Sequence, residues 1–364
     1  MSELCQKQTF KRPLDIIAGP PTWRSVEHAF RSSGHGLSDF DMDLPRRTFL
    51  HLAAGVAGLP AATRDAGAET YPSRPVRLIV GAVPGSAPDV IARLIAQSLG
   101  ERLGQSFVVE NRSGASGNLA TEAVARAVPD GYTLLLMSAG NAINTSLYET
   151  LNFDLIRDIA PVAGVVSFPM VITVRSPFPA NTLAELIAYA NAKPGKINIG
   201  TPPIGSPQHV AGELFKMLTG TNIVLVAYRG GPQAITDALG GQIDGVIGTV
   251  LLLIDFIRSE KLRALAVTEA SELLPGIPTV SAIVPGFEAS QWIGIGAPAK
   301  TPAAIIERLN GEANASLADP RIKTRLIELS GRAFPGASSE FGAFVAAETA
   351  KWGKVVKFAN LKPE

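Results

Sequence analysis

Glycine and serine stand immediately ahead of helical patterns at three places, and each could hold an anion. The first is Val83-Pro84-Gly85-Ser86-Ala87-Pro88-Asp89, between the apolar run Val76–Val80 and the helically spaced Val90, Ile91, Leu94, Ile95 and Leu99. The second joins Thr201 to Gly205-Ser206-Pro207-Gln208-His209, and the third is Tyr228-Arg229-Gly230-Gly231-Pro232. Asn111 to Thr121, NRSGASGNLAT, is a weaker fourth copy. A strand feeding a helix through a glycine loop aims free backbone N–H groups outward, where the helix dipole adds its positive end. Strand C-termini are where α/β sheets hold ligands, so the three loops together predict a site for a small acid. The candidate ligand contacts are Val83, Pro84, Gly85, Ser86, Asp89, Thr201, Gly205, Ser206, His209, Tyr228, Gly230 and Gly231. Ser206 is placed to cap a helix starting at Pro207, and Ser86 with Asp89 reads as a capping box.

No arginine clamp is needed for useful affinity. Two helix ends and three or four hydrogen bonds to a charged group supply a gross figure on the order of 10 kcal/mol. A micromolar dissociation constant requires about 8 kcal/mol. Arg229 can add long-range attraction.

Catalytic alternatives are narrow. The sequence holds no G-x-S-x-G, no P-loop and no G-x-G-x-x-G. Its one cysteine is Cys5, and of its four histidines only His209 lies beyond the N-terminal region. Neither a cofactor nor a metal site is therefore expected. A hydrolase would have to use Ser206 and His209.

The elements that must position these loops alternate along the chain. Strands are expected over 76–80, 107–109, 133–137, 170–174, 197–200, 223–227, 246–248, 263–267 and 293–297. Helices are expected over 88–103, 118–127, 183–191, 207–218, 232–239, 303–317 and 340–358. Such alternation predicts an α/β fold with parallel sheets covered by helices. The 364 residues allow two domains, and 46% hydrophobic composition allows sizeable cores. No low-complexity linker divides them, so the crossings are expected in strands, at 170–175 and 292–298. Net charge is +1 with no long basic run, which leaves nucleic acid without electrostatic support.

Residues 1–44 read as a disordered or untranslated extension, with translation expected to start at Met42. Residues 45–68 carry Arg46-Arg47-Thr48-Phe49-Leu50, a short apolar core and Ala66-Gly67-Ala68. That pattern predicts an export signal of twin-arginine type and a periplasmic destination.

From Tyr71 onward the ordered blocks resemble the Bug-type solute receptors of tripartite tricarboxylate transporters. The blocks are YPSRPVRLIV, the P-G-x-x-x-D of Pro84 to Asp89, ENRSGASGN, PDGYTLLL, the G-S-x-x-H of Gly205 to His209, YRGGPQAITDALGGQID and PGFEASQWIGIGAPAKTP. The resemblance implies a two-lobed periplasmic-binding-protein-like fold that closes on its ligand, with two crossing strands between lobes. It places lobe 1 at 71–170 plus 297–364 and lobe 2 at 171–296. It implies a small organic carboxylate as ligand: a di- or tricarboxylate, an aromatic acid or an amino acid. The membrane subunits of a transporter would be the partner, and the receptor a monomer; a ligand sensor without a transport role is the other reading. It adds a cleft wall at the turn region 139–145, with Asn141 as a contact. Relatives commonly carry an aromatic where Ala82 stands and a glycine where Ser86 stands, so ligand identity does not carry over. The Ser86 hydroxyl is expected to donate to a carboxylate.

Overall fold

The computed structural model describes residues 71–363. The extension, the export signal and the Met42 start lie outside the described residues. The chain builds two sheets in turn. The first half runs β1 (Val76–Val80), α1 (Ala87–Leu103), β2 (Phe107–Asn111), α2 (Asn118–Ala125), β3 (Thr133–Ser138), α3 (Ala139–Leu147), α4 (Leu155–Asp158) and β4 (Ile159–Phe168). After Pro169 come β5 (Met170–Arg175), α5 (Leu183–Ala192), β6 (Asn198–Thr201), α6 (Pro207–Thr219), β7 (Val224–Ala227), α7 (Gly231–Leu239), β8 (Gly245–Thr249), α8 (Val250–Arg258) and β9 (Leu262–Val267). The chain then returns through β10 (Gln291–Pro298), α9 (Ala303–Ala318), α10 (Pro320–Glu328), β11 (Arg332–Ala333) and α11 (Ser338–Phe358).

The first sheet has the order β11-β4-β10-β3-β1-β2, the second β9-β5-β8-β6-β7. β1 pairs parallel with β2 and β3, as β6 does with β7 and β8. β10 lies antiparallel between β3 and β4, and β5 lies antiparallel between β8 and β9. The second lobe therefore repeats the topology of the first, each sheet receiving one reversed strand just after the chain arrives from the other. The inner parallel strands β1, β3, β6 and β8 are buried along most of their length, as strands covered on both faces require, while the edge strands β2 and β7 are largely half-buried or exposed.

Two expectations shift here. Gln291–Pro298 lies wholly within the first sheet, where β3 and β4 take both its edges. The second sheet thus begins with β5, at Met170, and its last strand in the chain is β9, which ends at Val267. The region 139–145, expected as a turn, is the body of α3. It starts with no loop because the Asn141 side chain accepts the Ser138 N–H (2.7 Å), closing the helix start on itself.

The topology also fixes where the loops point. β4 ends at the outward crossing and β9 at the return, so the C-terminal edge of each parallel set faces the other lobe. The loops leaving β1, β2 and β3 oppose those leaving β6, β7 and β8. One apolar core spans both lobes, joining Ala142, Ile143 and Leu147 of α3 and Trp352 and Val355 of α11 to Val210 and Leu214 of α6.

Candidate functional site

The turns 83–86 and 203–206 share their closing hydrogen bond and the conformation of their last two residues. Gly85 and Gly205 both sit at φ +79°, a left-handed conformation that costs glycine little. Ser86 (φ −72°, ψ 162°) and Ser206 (φ −65°, ψ 153°) follow as extended N-caps, each before a helix with proline in its first turn. The Ser86 N–H donates to the Val83 carbonyl (3.3 Å) and the Ser206 N–H to the Pro203 carbonyl (3.0 Å). The Val90 and Val210 N–H groups then donate to the Ser86 and Ser206 carbonyls at 2.9 and 3.0 Å. The N–H groups of Ala87, Asp89 and Gln208 meet no backbone acceptor. Each lobe thus presents a helix N-terminus to the opposite lobe.

The side chains dress the two loops differently. Asp89 is 2% exposed and saturated: Oδ2 accepts the Gly85 N–H (2.9 Å) and Arg93 Nε (3.0 Å), and Oδ1 accepts Asn111 Nδ2 (2.9 Å). The Arg93 hydrogen bond, with help from Gly85 and Asn111 and against the effect of burial, holds the carboxyl at about 2. Asp89 therefore braces the loop from inside. The expected capping box is absent, because Asp89 reaches Gly85 instead of Ser86. The Ser86 hydroxyl donates to the Val83 carbonyl (2.6 Å), which spends the proton expected for a carboxylate.

In the second lobe the Ser206 hydroxyl does cap, accepting the His209 backbone N–H at 3.2 Å. The His209 ring is buried, its Nδ1 has no hydrogen-bond partner, and burial, with Lys216 nearby, pushes its pKa down to about 4. It is neutral at physiological pH. A nucleophile and its base need a ring nitrogen on the hydroxyl. Ser206 meets the backbone of His209 and not its ring, so the hydrolase geometry is missing.

Three of the expected contacts hydrogen-bond within the protein. Asn141 spends its oxygen on Ser138 and donates Nδ2 to Thr121 Oγ1 (2.8 Å). Thr201 is fully buried and donates to the Pro202 carbonyl (3.0 Å). The Tyr228 hydroxyl donates to Asp237 Oδ2 (2.8 Å); burial first, then that carboxylate, pushes it up to about 12. Val83, Pro84 and Gly85 are exposed at the loop tip. Gly230 is the extended N-cap of α7, and Gly231 packs under Leu252.

Two features escaped the sequence reading. Asn111, the last residue of β2, donates Nδ2 to both the Ala82 carbonyl (3.0 Å) and Asp89, tying the first loop to its neighbouring strand. Its place opening the NRSG turn was the available signal. The other is an interlobe bond, Gln208 Nε2 donating to Gln291 Oε1 at 2.8 Å. It joins the start of α6 to the start of β10.

A two-lobed α/β chain with anion-ready helix starts on facing strand ends is a solute-binding receptor of the periplasmic-binding-protein type. The chain matches the tripartite tricarboxylate transporter family receptor over residues 91–361, and it belongs to that family. Protein BugT of Bordetella pertussis is 34% identical over 300 residues, spanning 81% of this chain and 92% of BugT. The structure of R. palustris Rpa4515 with adipate superposes with a TM-score of 0.67 at 35% identity, covering 81% of this chain and 100% of that one. MatC from Rhodopseudomonas palustris with bound malate gives 0.64 at 28% identity, covering 79% and 100%.

Proposed function

We propose that this receptor captures a small organic carboxylate between the facing loops, in the periplasm, and presents it to the membrane subunits of a tripartite transporter. The observation carrying this reading is the duplicated loop. Two helix starts of matching backbone conformation, one per lobe, face each other with unused N–H groups and no nucleophile–base pair between them. Charge-assisted hydrogen bonds to such donors contribute about 1.5–3 kcal/mol each. The contacts proposed are the backbone of 83–89, the Gly205–Ser206 turn and the Gly230–Gly231 helix start, with Asp89, Asn141, Thr201 and Tyr228 bracing them. The adipate and malate named with the two similar structures make those acids the first probes.

A thermal-shift panel of di-, tri- and aromatic carboxylates tests the reading, because a ligand bound only by the folded state raises the melting temperature. At least one acid is expected to raise it by several degrees. A panel without any shift, on protein whose unfolding is cooperative, overturns the reading.

A further inference from the structure

A cavity of about 570 Å³ opens at the hinge, away from the loops described above. Its size lies within the roughly 300–1,000 Å³ of small-molecule sites. The outward crossing contributes Pro169, the return segment contributes 270–273, and the α10–β11 corner contributes Lys323, Ile327, Ser330 and Arg332. Both chain crossings thus border one space. An occupant would touch the two segments that must move if the lobes change their angle.

The lining has a definite chemistry. Leu273, Ile327, Pro169 and Ala333 make it apolar. Lys323 and Arg332 form no ion pair among the described residues, against a single carboxylate, Glu272, that is also unpaired. Ser330 borders the cavity, but its hydroxyl oxygen is itself sealed from solvent and has no hydrogen-bond partner. Its backbone is pinned by the Ser330 N–H to the Ile327 carbonyl and the Gly331 N–H to the Leu326 carbonyl, both 2.8 Å.

We propose that the hinge cavity is a second ligand site, for a small amphiphilic monoanion such as a carboxylate with a short aliphatic body, and that its occupancy sets the angle between the lobes. Lys323 and Arg332 attract the charge, and Leu273 and Ile327 cover the body. Reciprocity then couples this site to any ligand held between the lobes.

Calorimetric titration of the full chain with octanoate tests the site. One saturable site is expected, weakened at least tenfold by Lys323→Glu with Arg332→Glu and abolished by Ala270→Trp, with both variants keeping the wild-type circular dichroism. No saturable binding at about 1 mM, or binding that both variants retain, overturns the site. The angle is read separately, from the distance between spin labels at Val128→Cys and Leu239→Cys in a Cys5→Ser background. Octanoate is expected to shift that distance distribution, and an unchanged distribution at saturation overturns the coupling. The carboxylate panel applied to Ala270→Trp separates the two claims, since that variant leaves the facing loops intact.

Discussion

Replacing Asp89 by asparagine separates two roles that the sequence cannot distinguish, ligand contact and loop brace. The carboxylate accepts three hydrogen bonds, from Gly85, Arg93 and Asn111. An asparagine oxygen keeps one or two of them, and its amide turns a donor toward another donor. Charged-acceptor bonds contribute about 1.5–3 kcal/mol each. The Arg93 bond counts for less, because that side chain is 56% exposed and water competes for it. The expected loss is therefore about 2 kcal/mol for Asp89→Asn and about 3 kcal/mol for Asp89→Ala, which takes the acceptor from both Gly85 and Asn111. Urea denaturation without ligand measures it. The pH dependence has a fixed sign. The folded-state pKa is depressed to about 2 from 3.8, so this contribution is complete above pH 3.8 and is lost as pH falls toward 2. Carboxylate affinity should fall alongside stability, because Gly85 and the loop tip lose their anchor. An Asp89→Asn protein that keeps its full stability yet loses all carboxylate binding refutes the brace and makes Asp89 a direct contact.

The serines should differ although their backbones match. Ser206→Ala removes a real cap and should cost about 1 kcal/mol, while Ser86→Ala removes only a bond to Val83 and should cost less than half of that by the same denaturation assay. If Ser206→Ala also weakens carboxylate binding by more than tenfold, its remaining proton serves the ligand as well. For His209 the folded-state pKa is lowered to about 4 from 6.5, so the unfolded chain takes up the proton first. Stability should therefore be level above pH 6.5 and fall as pH drops through 6.5 to 4. His209→Leu should flatten the melting temperature across that window, and an unaltered profile would place the acid sensitivity elsewhere.

Much of the fold was legible because it rests on local signals. Apolar runs marked nine of the strands, and glycine or proline marked the helix starts at 87, 207 and 231. The ten-residue β4, IAPVAGVVSF, was missed because proline and glycine interrupt it, and its pairing with β10 and β11 overrides those breakers. Helices α3 and α8 were missed because each begins directly after a strand with no intervening loop. The loops of the site were visible, but their side-chain roles were not. Whether Asp89 faces a ligand or Gly85 depends on Asn111, which lies 22 residues away and meets it only through the β1–β2 pairing.

The doubled topology explains why the third helical position carries aspartate in one lobe and histidine in the other. In the first lobe Asn111 ends the strand beside β1, paired with Val80, and Arg93 lies one helical turn beyond Asp89. The equivalent positions in the second lobe are Ala227, paired with Thr201 at the end of β7, and Glu213, one turn beyond His209. Ala227 offers no side-chain donor, and Glu213 is itself buried against Lys216 at 2.9 Å. An aspartate at 209 would keep only the Gly205 N–H and would face a like charge one turn away, a placement in which a buried carboxylate is poorly compensated. A neutral imidazole avoids both problems at the price of one unpaired ring nitrogen. The three positions differ together, so the aspartate brace belongs to its neighbours as much as to the shared loop.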